Sequence, residues 1–156
     1  MQQLGRQLVF VALLGSALSV DAAEVLKADL KACLHDGTNI GNVSSCGKVW
    51  KLKSGRAVLD SDGSLKVDVK GLVLNDESTG QFNGTPDGVD AVAAAVICQS
   101  ASGAAVAAQA EPVLLSKSGD AKIHAKLDLP ACTAPVIVLR ERYEGKIGGW
   151  LAGTGY

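Results

Sequence analysis

The feature that most restricts this fold is the alternation in GSLKVDVKGL, where Leu65, Val67 and Val69 interleave with Lys66, Asp68 and Lys70. A two-residue period separates apolar from charged side chains only in an extended chain, so the segment reads as a half-buried strand. GRAVLD precedes it and reads as a second strand, joined through Asp62-Gly63, which is expected to supply the positive-φ residues of a tight hairpin. The period recurs in DAKIHAKLDL, with Ala121, Ile123, Ala125, Leu127 and Leu129 inward and Lys122, His124, Lys126 and Asp128 outward, until Pro130 ends it. APVIVLRERY and KIGGWLAGTGY follow as a continuously apolar strand and a glycine-rich last one.

Two segments need this context. AVAAAVICQSASGAAVAAQA has the length and alanine content of a spanning helix, but Gln99-Ser100-Ala101-Ser102-Gly103 breaks its middle with turn formers. It reads as two strands, Val89 to Gln99 and Ala104 to Gln109, with Val92, Ala94, Val96 and Cys98 on one face of the first. EVLKADLKACL fits a helical face through Leu26, Leu30, Cys33 and Leu34, and a strand face through Ala28, Leu30, Ala32 and Leu34. The β-rich remainder favours the strand. About eight or nine such segments between Gly, Asp, Asn and Ser-rich turns give an all-β class, an antiparallel, Greek-key-like sandwich. An outer-membrane barrel needs two aromatic girdles, and beyond residue 22 only Trp50, Phe82, Tyr143, Trp150 and Tyr156 are aromatic.

Residues 1–22 read as a secretory signal peptide: Arg6, then an apolar run from Leu8 to Val20, then the small-residue site Val20-Asp21-Ala22. Residues 23–156 then form one domain. The apolar run is short for an anchor, and Leu30-Lys31-Ala32-Cys33 lies too far beyond it to serve for lipid attachment. After removal 14 basic face 15 acidic side chains, which gives no electrostatic reason to expect nucleic acid or a membrane surface as partner. Cys33, Cys46, Cys98 and Cys132 all lie in the exported part, so disulfides and a secreted or periplasmic location are expected. Four cysteines allow three connectivities. The un-nested one, Cys33–Cys46 with Cys98–Cys132, closes the shorter loops. No Cys-x-x-Cys or companion histidine points to zinc.

GDAKIHAKLDLPACTAPVIVL, followed by GGWLAGTG, resembles a group of small exported bacterial β-sandwich proteins of uncharacterised function. The residues that carry the likeness run from Gly119 and Asp120 through Leu129, Pro130 and Cys132 to Trp150, Thr154 and Gly155. The resemblance covers the C-terminal half, implies Cys98 as the partner of Cys132, and names no activity. GRAVLDSDGSLKVDVKGL is more faintly similar to the strand-turn-strand of CHRD-type domains.

The chemistry available is sparse. His124 falls on a polar strand face, and His35 sits beside Asp36 in the turn-like LHDGTN; neither has a nucleophile assignable beside it. Asp60-Ser61-Asp62-Gly63 begins like a calcium loop but lacks the later ligands, so the turn accounts for it. The long piece from Asn75 to Gly88 reads as an irregular surface loop whose Asp76, Glu77, Asp87 and the neighbouring Asp90 form a possible ligand loop. Asn42-Val43-Ser44 and Asn83-Gly84-Thr85 match the glycosylation pattern, which is inert in a bacterial chain. Trp50 and Trp150 are expected in the core rather than on a sugar-stacking platform. The expectation is a non-catalytic binding or structural module without cofactor, its partner a protein or carbohydrate. The alternatives are a small hydrolase or isomerase using His35 or His124, and a cation-dependent adhesion module.

Overall fold

The computed structural model describes residues 22–155. The expected signal peptide lies outside these residues except for Ala22. The described chain is all-β: β1 (Glu24–Asp29), β2 (Lys31–Ala32), β3 (Trp50–Lys51), β4 (Ser54–Asp60), β5 (Ser64–Lys70), β6 (Val73–Leu74), β7 (Val89–Ser100), β8 (Gly103–Gln109), β9 (Val113–Leu114), β10 (Ala121–Lys126), β11 (Thr133–Tyr143) and β12 (Lys146–Gly153). Eight of these strands have six residues or more, and the other four have two. No helix among the described residues is long and apolar enough to cross a membrane.

One antiparallel sheet has the order β1-β4-β5-β10, and a second has β2-β12-β11-β7-β8, with β9 also paired to β7. In the first sheet the alternation aligns across strands: Ala57 faces Val67, which faces Ile123, so apolar rows share one side. In the second, Val96 pairs with Ile137 and Ala94 with Leu139. These rows belong to one hydrophobic core. The first described segment is extended, which settles the helix-or-strand alternative. It begins in the first sheet, and at Leu30 it passes to the second, where Ala32 pairs with Ala152. Leu34, inward on the strand reading, is exposed because the strand ends at Ala32 and His35 takes a positive φ of 56°.

The β4–β5 hairpin corrects a detail of the turn. Gly63 alone has a positive φ (83°), while Asp62 does not. The Gly63 N–H donates to the Asp60 carbonyl at 2.9 Å, so a three-residue loop ends in a left-handed glycine rather than using two such residues. Gly63 is also crowded: a Cβ there would lie 2.1 Å from the Leu127 carbonyl oxygen. A second hairpin joins β11 to β12 through Glu144 (φ 49°) and Gly145 (φ 75°), the two-residue turn whose positive angles match strand twist.

The alanine-rich stretch forms β7 and β8, with Ser100 paired to Gly103 across Ala101-Ser102. Burial of β7 is not confined to the face of Val92, Ala94, Val96 and Cys98: Ala91 through Cys98 are all buried. Its second face is covered in part by the segment between His35 and Val49. Ile40 and Val43 are buried there and exchange two backbone hydrogen bonds of 3.0 Å. Gly41 lies so close to β7 and β8 that a Cβ would sit 2.8 Å from Ile97 Cγ2 and 2.9 Å from the Ala104 oxygen. Asn42 Oδ1 accepts from the Val106 N–H of β8 at 3.0 Å, and the Trp150 Nε1–H donates to the Thr38 oxygen at 3.0 Å. The disulfides are Cys33–Cys46, which closes this covering loop, and Cys98–Cys132, which ties β7 to the entry of β11.

Candidate functional site

The segment from Asn75 to Gly88 is not wholly irregular: it holds 3-10 structure over Glu77–Phe82, broken by a kink at Gly80 (φ 59°). Asp76 makes it possible, because its Oδ1 accepts from the Ser78 N–H at 3.0 Å and from the Ser78 hydroxyl at 2.6 Å. A side-chain acceptor at this position satisfies a donor that the helix start leaves open. These bonds hold the Asp76 carboxyl below its ordinary value, the Ser78 hydroxyl contributing most. Asn83 Oδ1 closes the loop on the Asp76 N–H at 3.1 Å, and the Gly84 N–H donates to the Leu74 oxygen at 3.0 Å.

Between this loop and the end of the second sheet lies a cleft of about 480 Å3, lined by Lys48, Trp50, Phe82, Asp87, Glu141 and Tyr143 among others. Tyr143 is half-exposed and packs on the bare backbone of Gly88, where a Cβ would lie 2.5 Å from the ring. Phe82 is also exposed, whereas Trp50 is buried beneath. Glu141 is cross-strand to Val92, in the row that carries Ile137 and Leu139, so the strand period turns a carboxylate toward the interior at the sheet's end. Its Oε1 accepts from the Gly149 N–H at 3.3 Å. Gly148 gives it room, since a Cβ there would fall 2.7 Å from Oε1. Burial pushes the Glu141 carboxyl above its ordinary value, with the Gly149 bond acting weakly against this.

The neighbouring arginines are engaged elsewhere. Arg140 donates through Nε to the Gly148 oxygen (3.0 Å) and through Nη1 to Gln109 Oε1 (2.9 Å). Arg142 grips Asp90 with bonds of 2.7 and 3.2 Å, which lowers the Asp90 carboxyl. The residues of the expected ligand loop are therefore dispersed: Asp76 caps, Asp90 pairs with Arg142, Glu77 is exposed, and only Asp87 lines the cleft. No three His, Cys, Asp or Glu side chains among the described residues come together as metal ligands.

Neither histidine lines this cleft, although His35 is near enough to Asp76 at its rim to help lower that carboxyl. His35 is exposed, and its Nδ1 lies 2.7 Å from the Cys46 carbonyl; a carbonyl only accepts, so Nδ1 carries the proton. Asp36 beside it accepts from the Thr38 N–H at 2.9 Å, which lowers its carboxyl. His124 is exposed on the outer face of β10, beside a recess formed with Gln109 to Val113, and its ring makes no hydrogen bond among the described residues. Both tryptophans are core residues, at 3% and 0% exposure. Sequence reasoning missed Glu141, Tyr143, Phe82 and Lys48. Glu141 alone left a signal, as an acid at an inward position of an apolar strand.

No family model, curated protein or solved structure matches this chain. What the fold and the cleft define is a class: an antiparallel all-β domain closed by two disulfides, with an aromatic and acidic cleft at one end.

Proposed function

We propose that this is an exported, non-catalytic binding module, working outside the bacterial cytoplasm as a two-sheet sandwich that meets its partner at the cleft beside the Asn75–Gly88 loop. The observation that carries this reading is the pairing of two exposed aromatics, Phe82 and Tyr143, with the half-buried Glu141 in one concavity. Aromatic faces contribute large contact area, and a fixed carboxylate orients a polar ligand. The disulfides favour an oxidising compartment. Either a protein or a carbohydrate partner is compatible with such a surface. The catalytic alternative has weaker support, since neither histidine lies in a recess with a second polar group bonded to it apart from the Cys46 carbonyl.

A fragment screen followed by amide chemical shifts tests the reading. Hits are expected to cluster at Thr79, Phe82, Glu141 and Tyr143 and to vanish in Tyr143→Ala. Clustering around His124 instead would refute the cleft as the binding site.

A further inference from the structure

The charges around the cleft do not balance. Lys48 is the cation at its rim, and its Nζ lies 3.9 Å from Asp76 Oδ2. Arg140 and Arg142, on the strand that carries Glu141, are turned to Gly148, Gln109 and Asp90. Among the described residues no lysine or arginine forms an ion pair with Glu141, and Asp87, which also lines the cleft, adds a second negative charge. Two of the hydroxyls are engaged as donors: Ser78 Oγ–H donates to Asp76 Oδ1 at 2.6 Å and Thr79 Oγ1–H to the Asp76 carbonyl at 2.5 Å. The cleft therefore offers acceptors and π-faces, and its side-chain donors include the Lys48 ammonium and the Tyr143 hydroxyl.

We propose that the cleft takes an organic cation, an alkylammonium group held against Tyr143 and Phe82 with Glu141 as its counter-ion. The inference rests on the binding-module reading and names its ligand class. A carboxylate half-withdrawn from water without a counter-charge is disfavoured, and an ammonium ligand removes that penalty on binding. Aromatic faces attract the same charge. An anion would meet Glu141 and Asp87 with the wrong sign, and a purely apolar ligand would desolvate Glu141 without compensation. Gly149 does not supply the missing charge, because its neutral N–H occupies only Oε1 at 3.3 Å.

The test is an amide-shift titration of the protein with four probes: N-acetyl-lysine methylamide, its neutral counterpart N-acetyl-norleucine methylamide, cadaverine and methyl glucoside. The lysine amide or cadaverine is expected to shift Gly149 and Tyr143 saturably, at least tenfold more tightly than the norleucine amide. The tighter of the two distinguishes a side chain on a partner polypeptide from a free amine. Glu141→Gln, which keeps an acceptor for Gly149, is expected to remove the charge preference. In the unsubstituted protein the same affinity is expected to fall as pH drops through the Glu141 titration, with Asp76, Asp87 and His35 followed in the same spectra. Equal binding of the lysine and norleucine amides would overturn the cation assignment. Binding of methyl glucoside alone would overturn it too, while leaving the binding module intact. No shift at the cleft with any probe would overturn both.

Discussion

Replacing Cys33 and Cys46 together with alanine tests how the covering loop is held. Their sequence separation of 13 puts the chain-entropy contribution of the cross-link at about 2.9 kcal/mol. The loop also makes three bonds to the second sheet, Asn42 Oδ1 to the Val106 N–H, Trp150 Nε1–H to the Thr38 oxygen and the Trp150 N–H to the Ser44 oxygen. Each contributes about 1 kcal/mol if the loop detaches. The expected loss is therefore about 3 kcal/mol with the loop still seated and about 6 kcal/mol with it released. Urea unfolding followed by tryptophan fluorescence reads this directly, since Trp50 and Trp150 are both buried. For slopes of about 1.5–2 kcal/mol/M the midpoint falls by roughly 1.5–4 M. Release has a second consequence. β8 is the outer strand of its sheet, and GAAVAAQ carries no charge to discourage pairing with another chain. Sedimentation velocity of the double variant is expected to show self-association that the disulfide-linked protein lacks. A monomeric variant that loses less than about 1 kcal/mol would refute the reasoning, because packing alone would then hold the loop.

Three further perturbations probe separate parts of the fold. Gly63 and Gly37 have almost the same φ, 83° and 82°, but only Gly63 has neighbours in the path of a Cβ. Alanine at either site costs about 1–2 kcal/mol for the left-handed backbone, and Gly63→Ala is expected to cost measurably more in a thermal melt because it collides with Leu127. Asn42→Ala, with both disulfides intact, is expected to cost about 1 kcal/mol by urea titration and to speed hydrogen exchange at the Val106 amide. The Lys126 ammonium holds the Asp62 carboxyl down to about 2, with the Ser64 N–H assisting. That depressed value favours folding above the unfolded carboxyl range, and the contribution is lost as pH falls toward 2. Lys126→Met is expected to raise the Asp62 midpoint in a carboxyl NMR titration, and an unmoved midpoint would count against the contact.

The legible parts of this chain are those governed by local periodicity. Ala121, Ile123 and Ala125 alternate with Lys122, His124 and Lys126 in sequence and in burial, because a single strand face decides both. Ser100 to Gly103 announce their turn through residue type, and the un-nested cysteine pairing matches the disulfides observed. What escaped was set by distant segments. The second face of β7 is buried because residues from around Ile40 lie over Ile97, and no local pattern in AVAAAVIC encodes that cover. The cleft escaped for the same reason. It joins Phe82, Tyr143 and Lys48 from three stretches of chain, and the acidic loop residues that stood out in sequence serve mainly to cap and pair. Charge counted along the chain pointed to Asp76 and Asp90, whereas the carboxylate without a counter-charge is Glu141, whose neighbours in sequence are both arginines.

The state of that carboxylate is the most direct test of the account. A 13C NMR titration of the Glu141 side-chain carboxyl is expected to give a midpoint above the ordinary glutamate value, falling when N-acetyl-lysine methylamide saturates the cleft. A raised value in the folded state means that folding is favoured below the unfolded midpoint and loses that contribution as pH rises through the Glu141 titration. Glu141→Gln should therefore stabilise the protein at neutral pH and have no such effect in acid. An ordinary midpoint that the cationic probe leaves unmoved would contradict the account, because Glu141 would then be a solvated bulge acceptor and not a waiting counter-ion.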